Sequence, residues 1–438
     1  MLEALRNALK LPDLRRRIFF TILILVIFRM AANIPVPGVD RQALSAFFAS
    51  ATATSQLAGL LDLLSGGAVS NFSVLAAGVY PYVTASLVIQ LLVPIFPKLE
   101  ERLREEGEEG QRKMNQWTFY LTVPLAVLQA FGQAQLFRSA AVGVRPILPN
   151  FGWGPGKTLP TVTMMLTMTA GTMFAVWLGE LITEQGVGNG LSLIIFGGIV
   201  SRIPRNVRQI AETDQWIGVL VFLLITALSM LFIVFVQEGE RRIRVQYGKR
   251  VRGMKVYGGG STYIPLKINT AGMIPLIFAQ SILAFPAVIA QFFLNSTNPT
   301  VRSISSSLVS YFSGSKNPWY APMYFLAVVG FTYFYTFVMV EQQNLAETLQ
   351  RQGGFIPGVR PGKRTEEYIL GIYKRITLVG ALFLGVVAVL PYIIGLFMHS
   401  NRMLIQSSGM LIVVGTVMDT MRQLESQLLM RNYEGFLR

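Results

Sequence analysis

The sequence predicts an all-α integral membrane protein that crosses the bilayer ten times. Three observations carry that reading. Apolar residues make up 52% of the 438-residue chain and charged residues only 14%, where a soluble domain carries roughly 25% charged residues. The mean hydropathy is +0.49. The apolar residues are gathered into long runs separated by short polar ones, the pattern of spans and loops.

The first run follows Arg15, Arg16 and Arg17 and extends from Ile18 to Phe28. It imitates a signal peptide, but Arg29 ends it early and no small-x-small cleavage site follows. It reads as an uncleaved span near 18–34. A span needs roughly 20 mostly apolar residues. Further candidates lie near 72–96, 117–137, 160–182, 190–201, 215–236, 268–294, 318–340, 376–398 and 407–429. The fifth is the shortest and starts within the turn of Gly186, Gly188 and Gly190.

Loop charge sets the orientation. With the N-terminus inside, the inside segments hold 27 Lys and Arg and the outside loops 10. Cytoplasmic loops collect such residues, so both ends are expected in the cytoplasm. Arg202, Arg205 and Arg208 form an outside cluster that runs against the trend. Ten spans divide into five and five, and an odd number per half inverts the second half relative to the first. The expected organisation is an N-terminal half over 1–201, a hinge loop over 202–214 and a C-terminal half over 215–438.

Two inside loops are long. Residues 237–267 carry Arg241, Arg242, Arg244, Lys249, Arg250, Arg252 and Lys255. Residues 341–375 mix Arg351, Arg360, Lys363 and Arg364 with Glu341, Glu347, Glu366 and Glu367. Composition leaves two readings open: topogenic charge that also attracts anionic lipid, or structured fingers that dock an acidic or nucleic-acid-bearing partner.

Residues 57–67 are apolar but too short to span, and Gly66 with Gly67 breaks them from the second span. Such a segment is either an interfacial helix or a re-entrant element enclosed by protein or by a water-filled cavity.

Catalytic motifs are missing. Gly154-Pro155-Gly156-Lys157-Thr158 resembles the end of a phosphate loop, but Phe151 stands where its first glycine belongs. Gly186-Val187-Gly188-Asn189-Gly190 lacks the third glycine of a dinucleotide fingerprint, its place taken by Leu191. There is no HExxH and no Gly-x-Ser-x-Gly. The chain has no cysteine and one histidine, His399, so neither a cofactor nor a metal site is expected. Arg29, Glu180 and Asp419 lie near span ends, where snorkelling accounts for them. The span centres offer aliphatic pairs instead. Val79 with Val83 and Leu191 with Ile195 each share a helical face. Spacing alone reads these pairs as lipid contact or helix packing.

Four stretches carry a resemblance: Gly78-Val79-Tyr80-Pro81-Tyr82-Val83-Thr84-Ala85-Ser86, Gly186-Val187-Gly188-Asn189-Gly190, Lys267-Ile268-Asn269-Thr270-Ala271-Gly272 and Ile356-Pro357-Gly358-Val359-Arg360-Pro361-Gly362. In these, and in order along essentially the whole chain, the sequence resembles the SecY family, the pore subunits of the bacterial Sec protein-conducting channel. The resemblance implies a clamshell of two five-span halves around an hourglass pore in the bacterial inner membrane. Such a pore passes unfolded secretory proteins, releases transmembrane segments sideways into lipid, and is not an enzyme. The implied partners are the small subunits SecE and SecG, the SecA motor ATPase, the translating ribosome with its rRNA, signal peptides, nascent chains and membrane lipids.

Carried over residue by residue, the resemblance places a pore ring on Val79, Val83, Leu191, Ile195, Ile277 and Ile412. It places a plug on about 57–70, including Leu60, Leu61, Leu64, Gly66 and Gly67. Thr84, Gln129 and Asn269 become lateral-gate residues, and Arg242, Lys249, Arg250 and Arg360 become docking residues. Valine and leucine stand at three ring positions where many relatives have isoleucine. The competing function is an inverted-repeat secondary transporter, which calls for ion-coordinating residues in broken helices near the midplane.

Overall fold

The structure is a computed structural model. It describes residues 10–49, 62, 65, 67–96, 106–139, 146–247, 250–252, 255–257, 260–272, 274–294, 298–312, 317–343, 345–398 and 404–436. Leu60, Leu61, Leu64, Gly66, Lys249 and His399 lie outside the described residues.

The regular structure of the described chain is helical apart from one small sheet, one short hairpin and an isolated bridge of Pro35 with Ser73. Helix α1 (Pro12–Ala31) begins with its proline in the first turn, where the missing N–H leaves no bond unmade. The short α2 (Arg41–Ala49) is capped by Asp40, whose Oδ1 accepts from the amides of Gln42 and Ala43 at 2.9 and 3.2 Å. Then come α3 (Tyr80–Ile95), α4 (Glu108–Ser139), α5 (Thr158–Gln185), α6 (Gly190–Val200) and α7 (Ile203–Glu238). After the strands follow α8 (Ile274–Phe293), α9 (Pro299–Phe312), α10 (Tyr320–Gln343), α11 (Leu345–Arg351), α12 (Lys363–Met398) and α13 (Leu404–Phe436).

Among the described residues, three helical segments are long and apolar enough to cross a membrane by length and composition: Thr158–Gln185, Tyr320–Arg351 and Lys363–Leu390. Gly190–Val200, Thr226–Glu238 and Ile274–Ala287 are shorter apolar stretches. Side chains that face outward on these helices, such as Leu166, Leu326 and Val379, are exposed and apolar, as a lipid-facing surface requires.

Three expectations are revised. The expected span over 72–96 is helical only from Tyr80, because Pro81 suits a first turn and Gly78 takes φ +57° just before it. Residues 72–74 pair instead with 34–36: the Val36 amide donates to the Phe72 carbonyl and the Val74 amide to the Ile34 carbonyl, each at 2.9 Å. The expected hinge loop over 202–214 is also different. All but its first residue is the first part of α7, since Pro204 starts the helix and Ile203, Val207 and Ile210 recur at helical spacing.

The third revision joins the two long loops. Strand β1 (Glu240–Tyr247) pairs antiparallel with β4 (Ser261–Lys267), and the hairpin of β2 (Arg250–Arg252) and β3 (Lys255–Tyr257) lies between them in sequence. The other edge of β1 takes β5 (Gly354–Phe355), with Gln246 opposite Phe355 and Tyr247 opposite Gly354. Ile243, Val245 and Leu266 from the first loop share one core with Leu349, Ile356, Ile369 and Ile372. Two separate basic fingers are therefore one small body, held by main-chain pairing and apolar burial.

Close backbone approach sets the helix packing. Gly171 of α5 lies directly on the Val74 carbonyl, Gly190 of α6 on the Gly179 carbonyl, and Gly380 of α12 on the Ile268 carbonyl, each leaving no space for a Cβ. Small residues at such contacts are the usual device for packing helices in lipid.

Candidate functional site

The six aliphatic ring candidates come from four helices. Val79 caps α3 and Val83 follows one turn later, with its amide donating to the Val79 carbonyl at 3.1 Å. Leu191 and Ile195 lie on α6, Ile277 on α8 and Ile412 on α13. Val79, Ile195, Ile277 and Ile412 are buried in one apolar cluster, and Val83 and Leu191 pack against it half-buried. Leu191 also lies against Gly179 of α5. The α6 helix is set by Asn189, whose side chain caps it by accepting from the Ser192 amide at 3.1 Å, and by Gly188 at φ +86°. The cluster, which also takes in residues of α1, α5, α7, α10 and α12, thus joins positions more than 300 apart in sequence in one core.

Of the plug candidates, Gly67 is described. It turns at φ +96° within a run of turns that leads to α3. Its neighbour Ala68 is fully buried in the same cluster as the ring candidates. The Gly67 amide donates to the Asp62 carbonyl and the Ser73 amide to the Ala68 carbonyl, each at 2.9 Å, so the segment holds its own shape.

Helices α3 and α8 meet along one flank. The Tyr80 hydroxyl donates to the Ser281 carbonyl at 3.1 Å. Leu87 of α3, Ala271 and Phe278 at α8, and Tyr335 of α10 form an apolar seam, with Phe278 and Tyr335 edge to face at 6.1 Å. The gate candidates are not bonded to one another. Thr84 donates to the Tyr80 carbonyl one turn back at 3.0 Å, and Asn269 donates to the Gly272 carbonyl at 3.0 Å. Gln129 is buried on α4. One turn further along α4, Gln133 donates to the Ala76 carbonyl at 3.3 Å. Asn269 Oδ1 and Gln133 Oε1 are buried acceptors with no hydrogen-bond partner among the described residues.

Sequence reasoning missed Tyr80, Ser281, Phe278, Tyr335 and Gln133. A signal existed for Tyr80 alone, since it lies inside a motif; the others occupy ordinary helical positions.

On the joined loop body, Arg242 is exposed on β1, its Nε 2.7 Å from Glu240 Oε1. Arg250 opens β2, and its side chain lies outside the described atoms. Arg360 is exposed on a tight turn with Gly358 at φ +84° and Gly362 at φ +101°. The Val359 amide bonds to the Ile356 carbonyl at 3.0 Å and the Thr365 hydroxyl to the Arg360 carbonyl at 2.9 Å, which fixes the turn from both sides. At the base of the same body, burial and the neighbouring Arg422 pull the Lys267 ammonium below its ordinary pKa, against Asp419, Glu240 and Glu238. Arg422 lies 3.7 Å from Glu238 Oε1 and donates to the Gln237 carbonyl at 3.4 Å, tying α13 to the end of α7.

Among the described residues no group of three or more His, Cys, Asp or Glu side chains is placed to hold a metal ion. Helices packed around a shared apolar core, with α3 and α8 meeting at an apolar seam, make a polytopic membrane protein with the fold of a protein-conducting channel. That fold is shared with a solved structure described as a protein conducting channel (TM-score 0.60, 16% identity, 94% of this chain and 91% of that one). It is also shared with Sec61 in a canine ribosome-channel complex from the endoplasmic reticulum (TM-score 0.58, 16% identity, 94% and 91%).

The chain belongs to the SecY family, whose profile matches residues 73–421. A protein translocase subunit SecY of Thermotoga maritima is 42% identical over 100% of this chain and 98% of its own length. One from Streptomyces scabiei is 40% identical over the full length of both.

Proposed function

We propose that this chain is the pore subunit of a protein translocase, passing unfolded secretory proteins across a bacterial inner membrane and releasing apolar segments sideways into lipid. The observation that carries the reading is that Val79, Ile195, Ile277 and Ile412, from α3, α6, α8 and α13, are buried in one apolar core, in a chain whose full-length relatives are named as translocase subunits. A pore for arbitrary polypeptide gains nothing from specific polar contacts at its narrowest point. Valine, leucine and isoleucine give a deformable seal with no donor, acceptor or charge, and a dry constriction resists ions by denying them hydration.

In this reading Val79, Val83, Leu191, Ile195, Ile277 and Ile412 are the ring, and residues 57–70 the plug seated on it. Five-helix halves over 1–201 and 215–438 open along the α3–α8 seam, with Thr84, Gln129 and Asn269 beside it. The body carrying Arg242, Lys249, Arg250 and Arg360 faces the cytoplasm, together with both termini. It presents guanidinium and ammonium groups to a motor ATPase such as SecA or to ribosomal RNA. Ribosome-bound channels of the same fold support the second partner. SecE and SecG would complete the complex. The chemistry is non-catalytic: the chain supplies a path and its partners supply the work.

The test is reconstitution. Proteoliposomes holding the chain with its small subunits should protect a secretory precursor from protease when the motor and ATP are added. An assembled complex that protects none of it defeats the reading. Orientation is read separately in this cysteine-free chain. Gln352→Cys should label only in inverted vesicles and Trp153→Cys only in intact cells; the reverse pattern rejects the assigned sides.

A further inference from the structure

Asp62 is a buried carboxylate in the middle of an otherwise apolar segment. Its Oδ1 accepts from the Ser70 amide at 2.7 Å. Its own carbonyl accepts from the Ser65 hydroxyl at 3.1 Å and from the Gly67 amide at 2.9 Å. These bonds tie Asp62, Ser65, Gly67 and Ser70 into one turn. The other carboxylate oxygen pairs with Nη2 of Arg202, and the same nitrogen lies 3.2 Å from Ser70 Oγ. One guanidinium thereby clasps both ends of the turn.

The fit of the turn beneath it is close. A Cβ on Gly67 would lie 2.9 Å from Arg202 Nε and 3.2 Å from Arg29 Nη1. Glycine suits that place because of its φ of +96°. Arg202 caps the start of α7 directly after α6, at the junction between the proposed halves. Its charge stands on the side where loop charges are few, and a buried carboxylate answers it.

We propose that Asp62 and Arg202 are positioning residues for the channel seal. Their ion pair latches Asp62 and the turn through Gly67–Ser70 to the α6–α7 junction and opens before the channel conducts. The proposal rests on the channel reading above. The ion pair is poorly solvated, with the two side chains 5% and 18% exposed. Removing either partner breaks an ion pair in a poorly hydrated site, so the turn loses its tie to Arg202. Ala68 rides on that turn and is buried in the same apolar core as the ring candidates, so release of the latch unseats the seal.

The experiment uses the assembled complex in proteoliposomes with Asp62→Asn, Arg202→Gln and the double variant. Two quantities are read without any precursor: ion leak, and labelling of Val69→Cys by an impermeant maleimide. Val69 is fully buried in the parent. Each single variant should raise leak by about tenfold and speed labelling, and the double variant should leak no more than the worse single, since both remove one pair. Ser70→Ala keeps the charges and removes one contact, so it should give a smaller rise in the same direction.

In a further arm, Asp62→Cys and Arg202→Cys joined by a short bis-maleimide should hold leak at the parental level and block precursor transport. Additive leak in the double variant, parental leak and labelling in both singles, or full transport through the cross-linked channel would each overturn the latch. If the singles fail to assemble while Ser70→Ala leaks and labels like the parent, the pair is structural only and the proposal fails. A parental complex that transports no precursor rejects the channel reading instead; the latch is then judged by Val69→Cys labelling, which needs no transport.

Discussion

The Tyr80 hydroxyl donates to the Ser281 carbonyl across 3.1 Å, joining the first residue of α3 to the middle of α8. The two residues are 201 positions apart. This bond crosses the seam that the proposed channel must open, and it does so one residue beyond the ring candidate Val79.

Tyr80→Phe keeps the ring and removes the donor. A net hydrogen bond is worth about 0.5–1.5 kcal/mol, so the variant should unfold at a slightly lower temperature in detergent. It should also pass precursors with defective signal sequences more readily, because the closed seam has lost part of its advantage. Equal melting and equal selectivity would show that the bond does not hold the seam.

Replacing Ile277 or Ile412 with Asn should wet the constriction, since an amide offers hydrogen bonds that the aliphatic cluster lacks. Both side chains are buried among apolar neighbours. Ion leak through reconstituted channels should rise several-fold and signal-sequence selectivity should relax. Parental leak in both variants would count against a seal at these positions.

Arg360 stands exposed on a turn fixed by Gly358, Gly362 and the Thr365 hydroxyl. A guanidinium on a stiff tip suits bidentate contact with a carboxylate or phosphate. Arg360→Glu should assemble and melt normally yet lose most motor-driven export. Arg360→Lys should also lose activity, because a point charge does not reproduce the planar fork. Normal export by the Glu variant removes the docking role, whereas failed assembly makes the arginine structural.

Gly171→Ala should destabilise the protein by roughly 1–3 kcal/mol, because its methyl group has no place beside the Val74 carbonyl. Gly330→Ala is the matched control on α10, with nothing near its added methyl. It should be neutral or stabilising by up to about 1 kcal/mol. Thermal unfolding of the two variants in one detergent decides the matter, and equal shifts would contradict the packing described.

The sequence by itself determined the membrane class, because apolar runs and their flanking charges are local properties that survive without a partner. It also determined that Val79 with Val83 and Leu191 with Ile195 share helical faces, since a period of 3.6 residues follows from hydrogen bonding within one helix. The family resemblance implied a ring at those positions, whereas spacing alone left those pairs as packing.

The tertiary structure decided which faces meet. Apolar side chains bury equally well against many neighbours, so the selection falls to contacts with strict geometry. Gly171 admits the Val74 carbonyl, and Gly190 admits the Gly179 carbonyl. The bond of Tyr80 to Ser281 and the pair of Asp62 with Arg202, 140 positions apart, leave no local trace in composition or period. The same holds for the two basic loops. Each reads as a separate finger until Gln246 and Tyr247 pair with Phe355 and Gly354, because main-chain pairing across 109 and 107 positions depends on where the helices deliver the strands and not on the strand sequences alone.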